Sequence, residues 1–479
     1  MMKRNSNLDR SGTPRAAGVV FRLAVMGLCA ALAACGVVPD GAGIIEKEAH
    51  NERPPIVTGL HGNLSPEQSA EYLKREGASP TMLDHLALEQ AVTQTPLTGS
   101  NAIRILVDGE QTFAAMFAAI RAARRSIDLE YFIFEDVKSG NERLSDLLIA
   151  KRREGVVVNV MYDSFGSAAT PPDFFSRLKK AGINVVQFNP VDPLEVRKFW
   201  SPNHRDHRKI LVVDGDTAIT GGINLSSTYE SSGSGRSGAP GSLKDAYWHD
   251  TDLEIRGPAV MQLQLLFLDH WKSQKGPALT PGKYMPPPHP SGDDELVRVI
   301  GSTAGKDIPH YYVTLLDAIR TAQKRIWLTA AYFVPTDEQL YALIAAKRRG
   351  VDVRILAPDQ GDSLLSTVMQ HAAYPDLLKA GIRVFETHNE VLHSKTVIVD
   401  GVWTVIGSSN FDHRSVVFND EADVVIVGRD TGEQLEKLFE QDCAKATEIT
   451  RDKWHRRAPL KRLQEQLAPL YLSVVKSDL

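Results

Sequence analysis

Two short stretches of this 479-residue chain set an imidazole, an ammonium and a carboxylate at one spacing: His207-Arg208-Lys209 running on to Asp214-Gly215, and His393-Ser394-Lys395 running on to Asp400-Gly401. Each leads through a second apolar run to a Gly-x-x-Asn, Gly221 to Asn224 and Gly407 to Asn410. One such pair is weak evidence, because a lone histidine is more often a satisfied core or surface residue. Two copies at corresponding positions change the odds. If the halves that carry them pack about a pseudo-twofold axis, His207, Lys209, His393 and Lys395 converge on one cleft, and that set suits a phosphodiester. Lysines neutralise the non-bridging oxygens as charge builds in the transition state. One neutral histidine can attack phosphorus, and the other, protonated, can give its proton to the leaving oxygen. An ordinary imidazole pKa near 6.5 makes both forms accessible. His-x-Lys offers a metal no second ligand and its ammonium repels cations, so neither a metal nor another cofactor is expected.

The elements that must position these groups are strands. Each motif reads as a β-hairpin with Asp-Gly at its turn, the favoured two-residue hairpin signal. Side chains alternate along a strand, so His207 and Lys209 share a face, as do His393 and Lys395. Asp214 and Asp400 lie an odd number of positions after their histidines, which points them away from that face and toward holding the turn. The flanking sequence repeats as well. Ala119 to Ala123 leading to Ile127–Phe132 recurs as Ala318 to Ala322 leading to Ile326–Phe333, and Lys180-Ala181-Gly182-Ile183 recurs as Lys379-Ala380-Gly381-Ile382. Helical patterns alternate with short β-rich runs, the signature of helices packed on a sheet. Two similar α/β lobes follow, residues 103–275 and 297–449, joined by a Pro/Gly/Ser-rich linker over 276–296, with an extension over 35–102 in which no chemistry is legible.

Composition narrows the class. With 43% hydrophobic and 24% charged residues, the chain is close to globular averages, and wholesale disorder or a polytopic membrane protein is a poor fit. The net charge is −4 overall. Residues 1–34 hold five basic side chains and one acidic, leaving −8 on the rest. An acidic body argues against a dedicated nucleic-acid binder.

The motifs resemble the phospholipase D superfamily, whose duplicated His-x-Lys-x4-Asp is carried twice without departure over about residues 103–449. Within it the chain looks most like bacterial cardiolipin synthases, through Glu130-Tyr131-Phe132, Gly221 to Asn224 with Tyr229, Trp248-His249-Asp250, Tyr332-Phe333-Val334-Pro335, Gly407 to Asp412 and Asn419-Asp420-Glu421. The resemblance implies mixed sheets flanked by helices and one active site at the lobe interface, with the motif residues His207, Lys209, Asp214, His393, Lys395 and Asp400 as the catalytic set. One histidine would form a covalent phosphohistidine; His207 is the preferred nucleophile, with the reverse assignment open. Aligning Gly257 with Gly428 pairs Asp250 with Glu421, and the family sets such a carboxylate against each histidine. Asn224, Ser408 and Asn410 match polar positions lining the phosphate cleft. The implied reaction is phosphatidyl transfer to phosphatidylglycerol from it or a second phospholipid such as phosphatidylethanolamine, at a membrane surface and without nucleic acid. A hydrolase using water, a nuclease and a non-catalytic lipid-binding lipoprotein are the alternatives.

Two features depart from the commonest synthases. In place of two membrane-spanning helices the chain has five basic residues before a 12-residue apolar run, Leu23 to Ala34; a span takes about 20 residues, whereas a secretory signal does not. The run ends Leu32-Ala33-Ala34-Cys35, which resembles a bacterial lipoprotein cleavage site. Lipidation at Cys35 is expected, anchoring the protein in the cell envelope on the periplasmic side. Cys29 would leave with the signal and Cys443 would remain as a lone, helix-buried thiol. The second departure is a Ser/Gly-rich insert from Ser231 to Ser242. The tail 450–479 is basic and amphipathic, and suits either an interfacial helix on anionic lipid or a helix docked on the second lobe.

Overall fold

The computed structural model describes residues 37–50, 53–190, 201, 203–230, 247–279, 284, 293–306, 308–361, 364–388 and 390–456. The signal with Cys29 and Cys35, the insert Ser231 to Ser242, nearly all of the linker between 280 and 292, and the tail beyond 456 lie outside them.

Among the described residues, and leaving aside strands of two or three residues, each lobe contributes seven strands. In the first they are β1 (Leu97–Val107), β2 (Ser126–Tyr131), β3 (Val157–Asp163), β4 (Asn184–Phe188), β5 (Lys209–Val213), β6 (Thr217–Gly221) and β7 (Thr251–Arg256). The second repeats them as β8 (Glu295–Ser302), β9 (Arg325–Ala330), β10 (Asp352–Pro358), β11 (Arg383–Thr387), β12 (Lys395–Val399), β13 (Trp403–Gly407) and β14 (Asn419–Val427). The first sheet runs 4-3-2-5-6-7-1, parallel across β4-β3-β2 and antiparallel thereafter. The second has the same order, 11-10-9-12-13-14-8. β1 and β8 pair antiparallel, Glu295 opposite Asn101, so the sheets join edge to edge.

The apolar runs after each motif are continuous because both faces of these strands are buried. On β5, Leu211 and Val213 face a core shared with Phe113, Phe117 and Ile120 of helix α4 (Asp108–Ala122). Their neighbours Ile210 and Val212 face a second core, where they meet Leu253, Ile255, Ile398, Val424 and Ile426. The inward faces of the two sheets therefore merge, and this packing holds the lobes together. Among the described residues the longer helices are, in the first lobe, α4 (Asp108–Ala122), α5 (Leu144–Arg153), α6 (Pro172–Lys180) and α7 (Val260–Ser273); in the second, α8 (His310–Thr321), α9 (Asp337–Arg348), α10 (Leu364–Ala380) and α11 (Arg429–Lys445). Cys443 lies on α11, half-buried, and burial pushes its thiol up to about 12.

The segment before the first lobe holds α1 (Gly41–Ala49), α2 (Pro66–Arg75) and α3 (Pro80–Thr93). Ser65 and Gln68 close a reciprocal capping box at the start of α2, satisfying two otherwise orphaned donors. These helices extend the second lobe: Leu73, Met82, Leu86, Leu88 and Val92 pack with Leu296, Leu315, Leu316 and Trp403. Glu89 on α3 pairs with fully buried Arg298 on β8 and accepts the Trp403 indole N–H at 3.0 Å. The final described helix, α12 (Arg451–His455), buries Trp454 against His371 and Tyr374 of α10, so the tail starts docked on the second lobe.

Among the described residues no helix is long and apolar enough to cross a membrane.

Candidate active site

The two hairpins have three-residue loops, not the two-residue turn that Asp-Gly suggests: Val213 pairs with Thr217, and Val399 with Trp403. The difference has a local cause. Asp214, at φ 55°, turns its backbone N–H to Ser126 O and its carboxylate to the N–H groups of Arg124, Arg125 and Ser126 at 2.6–2.8 Å. Asp400 does the same for Gln323, Lys324 and Arg325. Both aspartates hold each hairpin tip to the strand beside it, away from the histidines, as their odd offset requires.

At the other end of those strands the lobes exchange partners. His207 Nδ1 lies 3.0 Å from Glu421 Oε2 and 3.1 Å from Ser408 O. Both are acceptors, so Nδ1 carries the hydrogen and Nε2 keeps its lone pair. His393 Nδ1 lies 2.7 Å from Asp250 Oδ2, with the Tyr229 hydroxyl and Lys395 Nζ each 3.0 Å away. Each histidine thus takes its carboxylate from the opposite lobe. Lys209 and Lys395 also donate to the main-chain carbonyls of His207 and His393.

Burial pushes His207 down to about 4, opposed by Glu421 and reinforced by Lys209 and Lys395. Burial likewise lowers Lys209 to about 7, again opposed by Glu421 and reinforced by Lys395. Glu421 and Asp250 are fully buried, which alone would raise them, yet His207 and Lys209, and His393 and Lys395, hold them below the usual carboxylate range. Aromatic rings wall the histidines: Phe132 at 5.2 Å from His207, Trp248 and Tyr229 at 5.6 and 6.1 Å from His393.

The polar positions separate. Ser408 is committed to Glu421, its hydroxyl donating to Oε2 at 2.6 Å. Asn224 accepts the Ile133 N–H at 3.3 Å. Asn410 leaves its side-chain oxygen buried without a hydrogen-bond partner, beside two cavities of about 10 Å³ each, the second also lined by Lys395. Each has room for about one water.

A family model described as "Cardiolipin synthase, PLD-like domain" matches residues 116–232 and again 315–443. A cardiolipin synthase 2 of Bacillus anthracis is 34% identical over 379 residues, 77% of this chain and 70% of the relative. A cardiolipin synthase of Halalkalibacterium halodurans is 33% identical over 415 residues, 86% and 79% of the two chains. The chain belongs to the phospholipase D-type cardiolipin synthase family. Membership makes it a phosphatidyltransferase with phospholipid-class substrates. The crystal structure of a phosphatidylserine synthase from Haemophilus influenzae Rd KW20 shares the fold, with a TM-score of 0.60 at 14% identity over 81% of this chain and 98% of that one.

The parts that several groups play in this family member's site were not legible in the motifs. Ser415 and Asn419 steady Glu421 Oε1 at 2.8 and 3.0 Å. Asp252 and Asp423, two residues beyond Asp250 and Glu421, hold the Gly-x-x-Asn loops through the N–H groups of Ile223 and Ser409. Burial pushes Asp423 up to about 8 and Asp252 well above the ordinary range. Gly407 is required there, because a Cβ would stand 2.1 Å from Asp423 Oδ1. Aligning the two repeats past Asp250 and Glu421 would have exposed this second acidic pair.

Proposed function

We propose that this protein transfers a phosphatidyl group to the terminal hydroxyl of phosphatidylglycerol, giving cardiolipin, through a phosphohistidine on His207. The observation that carries the reading is the pair of acceptors at His207 Nδ1, Glu421 and the Ser408 carbonyl, which leaves Nε2 its lone pair; Asp250 orients His393 likewise, and burial with Lys209 and Lys395 favours the neutral, attacking form at His207. In the first step Nε2 bonds to phosphorus while the P–O bond to the donor's head group breaks, and protonated His393 gives the leaving oxygen its proton. In the second, neutral His393 takes the proton of the acceptor hydroxyl as that oxygen bonds to phosphorus and the P–N bond breaks. Lys209 and Lys395 stabilise the charge on the non-bridging oxygens in both steps, and Asp250 and Glu421 hold the rings and support their cationic forms.

The test is incubation of the purified protein with labelled phosphatidylglycerol, alone and with phosphatidylethanolamine, followed by lipid analysis. Labelled cardiolipin is expected, and His207→Ala and His393→Ala should each abolish it. Phosphatidic acid as the sole product would make water the acceptor and the protein a hydrolase.

We further propose that Cys35 is lipidated and anchors the protein in the envelope on the periplasmic side, on the strength of Leu32-Ala33-Ala34-Cys35. Cys35→Ala should remove labelling by radioactive palmitate; labelling that persists unchanged would sink this reading.

A further inference from the structure

Beside each carboxylate that holds a histidine ring stands a residue that holds the same histidine by its backbone. The carbonyl of His249, immediately before Asp250, accepts the N–H of His393 at 2.8 Å, and the carbonyl of Asp420, immediately before Glu421, accepts the N–H of His207 at 2.9 Å. Residues 249–250 and 420–421 therefore each grip one histidine of the opposite lobe at two points, main chain and ring.

The side chains of the two backbone partners sit in triads of inverted charge. The His249 ring lies between Asp108 of the first lobe, 2.9 Å from Nδ1, and Asp442 on α11 of the second, 3.0 Å from Nε2. With a carboxylate at each nitrogen, both carry hydrogen and the ring is an imidazolium. At the matching position Asp420 lies between two histidines of the first lobe, His204 Nε2 at 2.9 Å and His270 Nε2 at 3.1 Å. It also accepts the Ala304 N–H at 2.8 Å. Asp108 closes the first arrangement on the grip itself, accepting the Asp250 N–H at 3.1 Å and donating its own N–H to Asp250 O at 2.9 Å. Both triads cross the lobe boundary; His249, Asp108, Asp420 and His270 are buried, whereas the outer arms Asp442 and His204 are partly exposed. Nothing in either touches the atoms that react.

We infer that His249 and Asp420 are positioning residues: each charged triad fixes one carbonyl, and that carbonyl sets the depth at which the opposite lobe's histidine enters the cleft. The inference rests on the two-step reading above, with His207 attacking and His393 giving the proton. It makes the two residues serve different chemical roles. His249 governs proton delivery, and Asp420 governs attack. A misplacement of about 1 Å can cost on the order of a hundredfold in rate, and here that loss should depend on the leaving group.

The experiment compares two donors in mixed vesicles, phosphatidylglycerol and phosphatidyl-p-nitrophenol, whose phenolate leaves without a proton. His249→Gln should lose at least about tenfold more in the rate of the first step, read as labelling of the protein, with phosphatidylglycerol than with the activated donor. Asp420→Asn should slow both donors alike, burst phase included, and Asp420→Glu should restore part of the loss. The mirrored pattern also supports the grip, with the two histidines exchanging roles. Equal losses on both donors in both variants, in step with lowered melting temperature, would mean a merely structural role and overturn the inference; so would losses under threefold throughout. A wild-type enzyme that gives no burst and no labelled protein with the activated donor would overturn the covalent reading and the inference with it. Where His249→Gln or Asp420→Asn does not fold, Asp442→Asn and His204→Gln remove one outer arm of each triad and are read in the same way.

Discussion

Glu421 of the second lobe accepts the Nδ1–H of His207 from the first at 3.0 Å, and is itself held by Ser408, Ser415 and Asn419. Neither lobe alone holds a complete nucleophile. Glu421→Gln keeps an acceptor for Nδ1–H but removes the charge that supports the ring as it becomes cationic. The loss in kcat should be on the order of a hundredfold or more, as when the buried carboxylate behind a catalytic histidine is neutralised. Activity within threefold of wild type would show that the carboxylate does not act through His207.

The pH dependence follows from two lowered pKa values. His207, held near 4, must be neutral to attack, so activity requires a pH above about 4. Lys209, lowered to about 7, must be charged to stabilise phosphate oxygens, so activity fades as pH rises through about 7. The profile of kcat/KM should be a bell whose acid limb lies below that of an ordinary histidine, its limbs belonging to the coupled site as a whole. A bound phosphodiester adds negative charge and raises Lys209, so binding at pH 8 should take up roughly one proton. Calorimetry in buffers of different ionisation enthalpy measures this. Lys209→Arg, permanently charged, should abolish the uptake, and wild-type binding with no buffer dependence would exclude a neutral Lys209.

How far the sequence reached depends on distance along the chain. His207 and Lys209 lie on one strand, and alternation alone put them together and sent Asp214 elsewhere. The pairing of His207 with Glu421 spans 214 residues and that of His393 with Asp250 spans 143; periodicity carries no information at that range, and only the family resemblance set a carboxylate against each histidine. Even so, the crossing between lobes needed the three-dimensional arrangement. The stretch before residue 97 shows short helical patterns, but where those helices dock was illegible for another reason. Their partners, Arg298 and Trp403, lie in the second lobe, whereas in sequence they precede the first.

That docking predicts a stability effect. Glu89, Arg298 and Trp403 are fully buried together, and Glu89→Ala strands the Arg298 guanidinium. The expected cost is about 3–5 kcal/mol, read by urea unfolding. The double variant Glu89→Ala, Arg298→Met should recover part of it, since the stranded guanidinium is gone while the Trp403 indole N–H and the His85 ring still lose Glu89. A cost below about 1 kcal/mol for Glu89→Ala would contradict the view that α3 belongs to the second lobe's core.

The last residue of each motif should behave differently from the first two. Asp214 accepts three main-chain N–H groups at the tip of its hairpin, and two of those bonds are exposed enough for water to replace them. Asp214→Ala should therefore cost about 1–2 kcal/mol of stability, lowering the melting temperature while kcat per folded molecule stays within about threefold of wild type. Asp400→Ala should match it, because Asp400 makes the same three bonds in the second lobe. His207→Ala should show the opposite signature, no turnover with little change in melting temperature. If Asp214→Ala abolished turnover in a protein that melted normally, the carboxylate would have a part in the chemistry that its place at the far end of β5 does not allow.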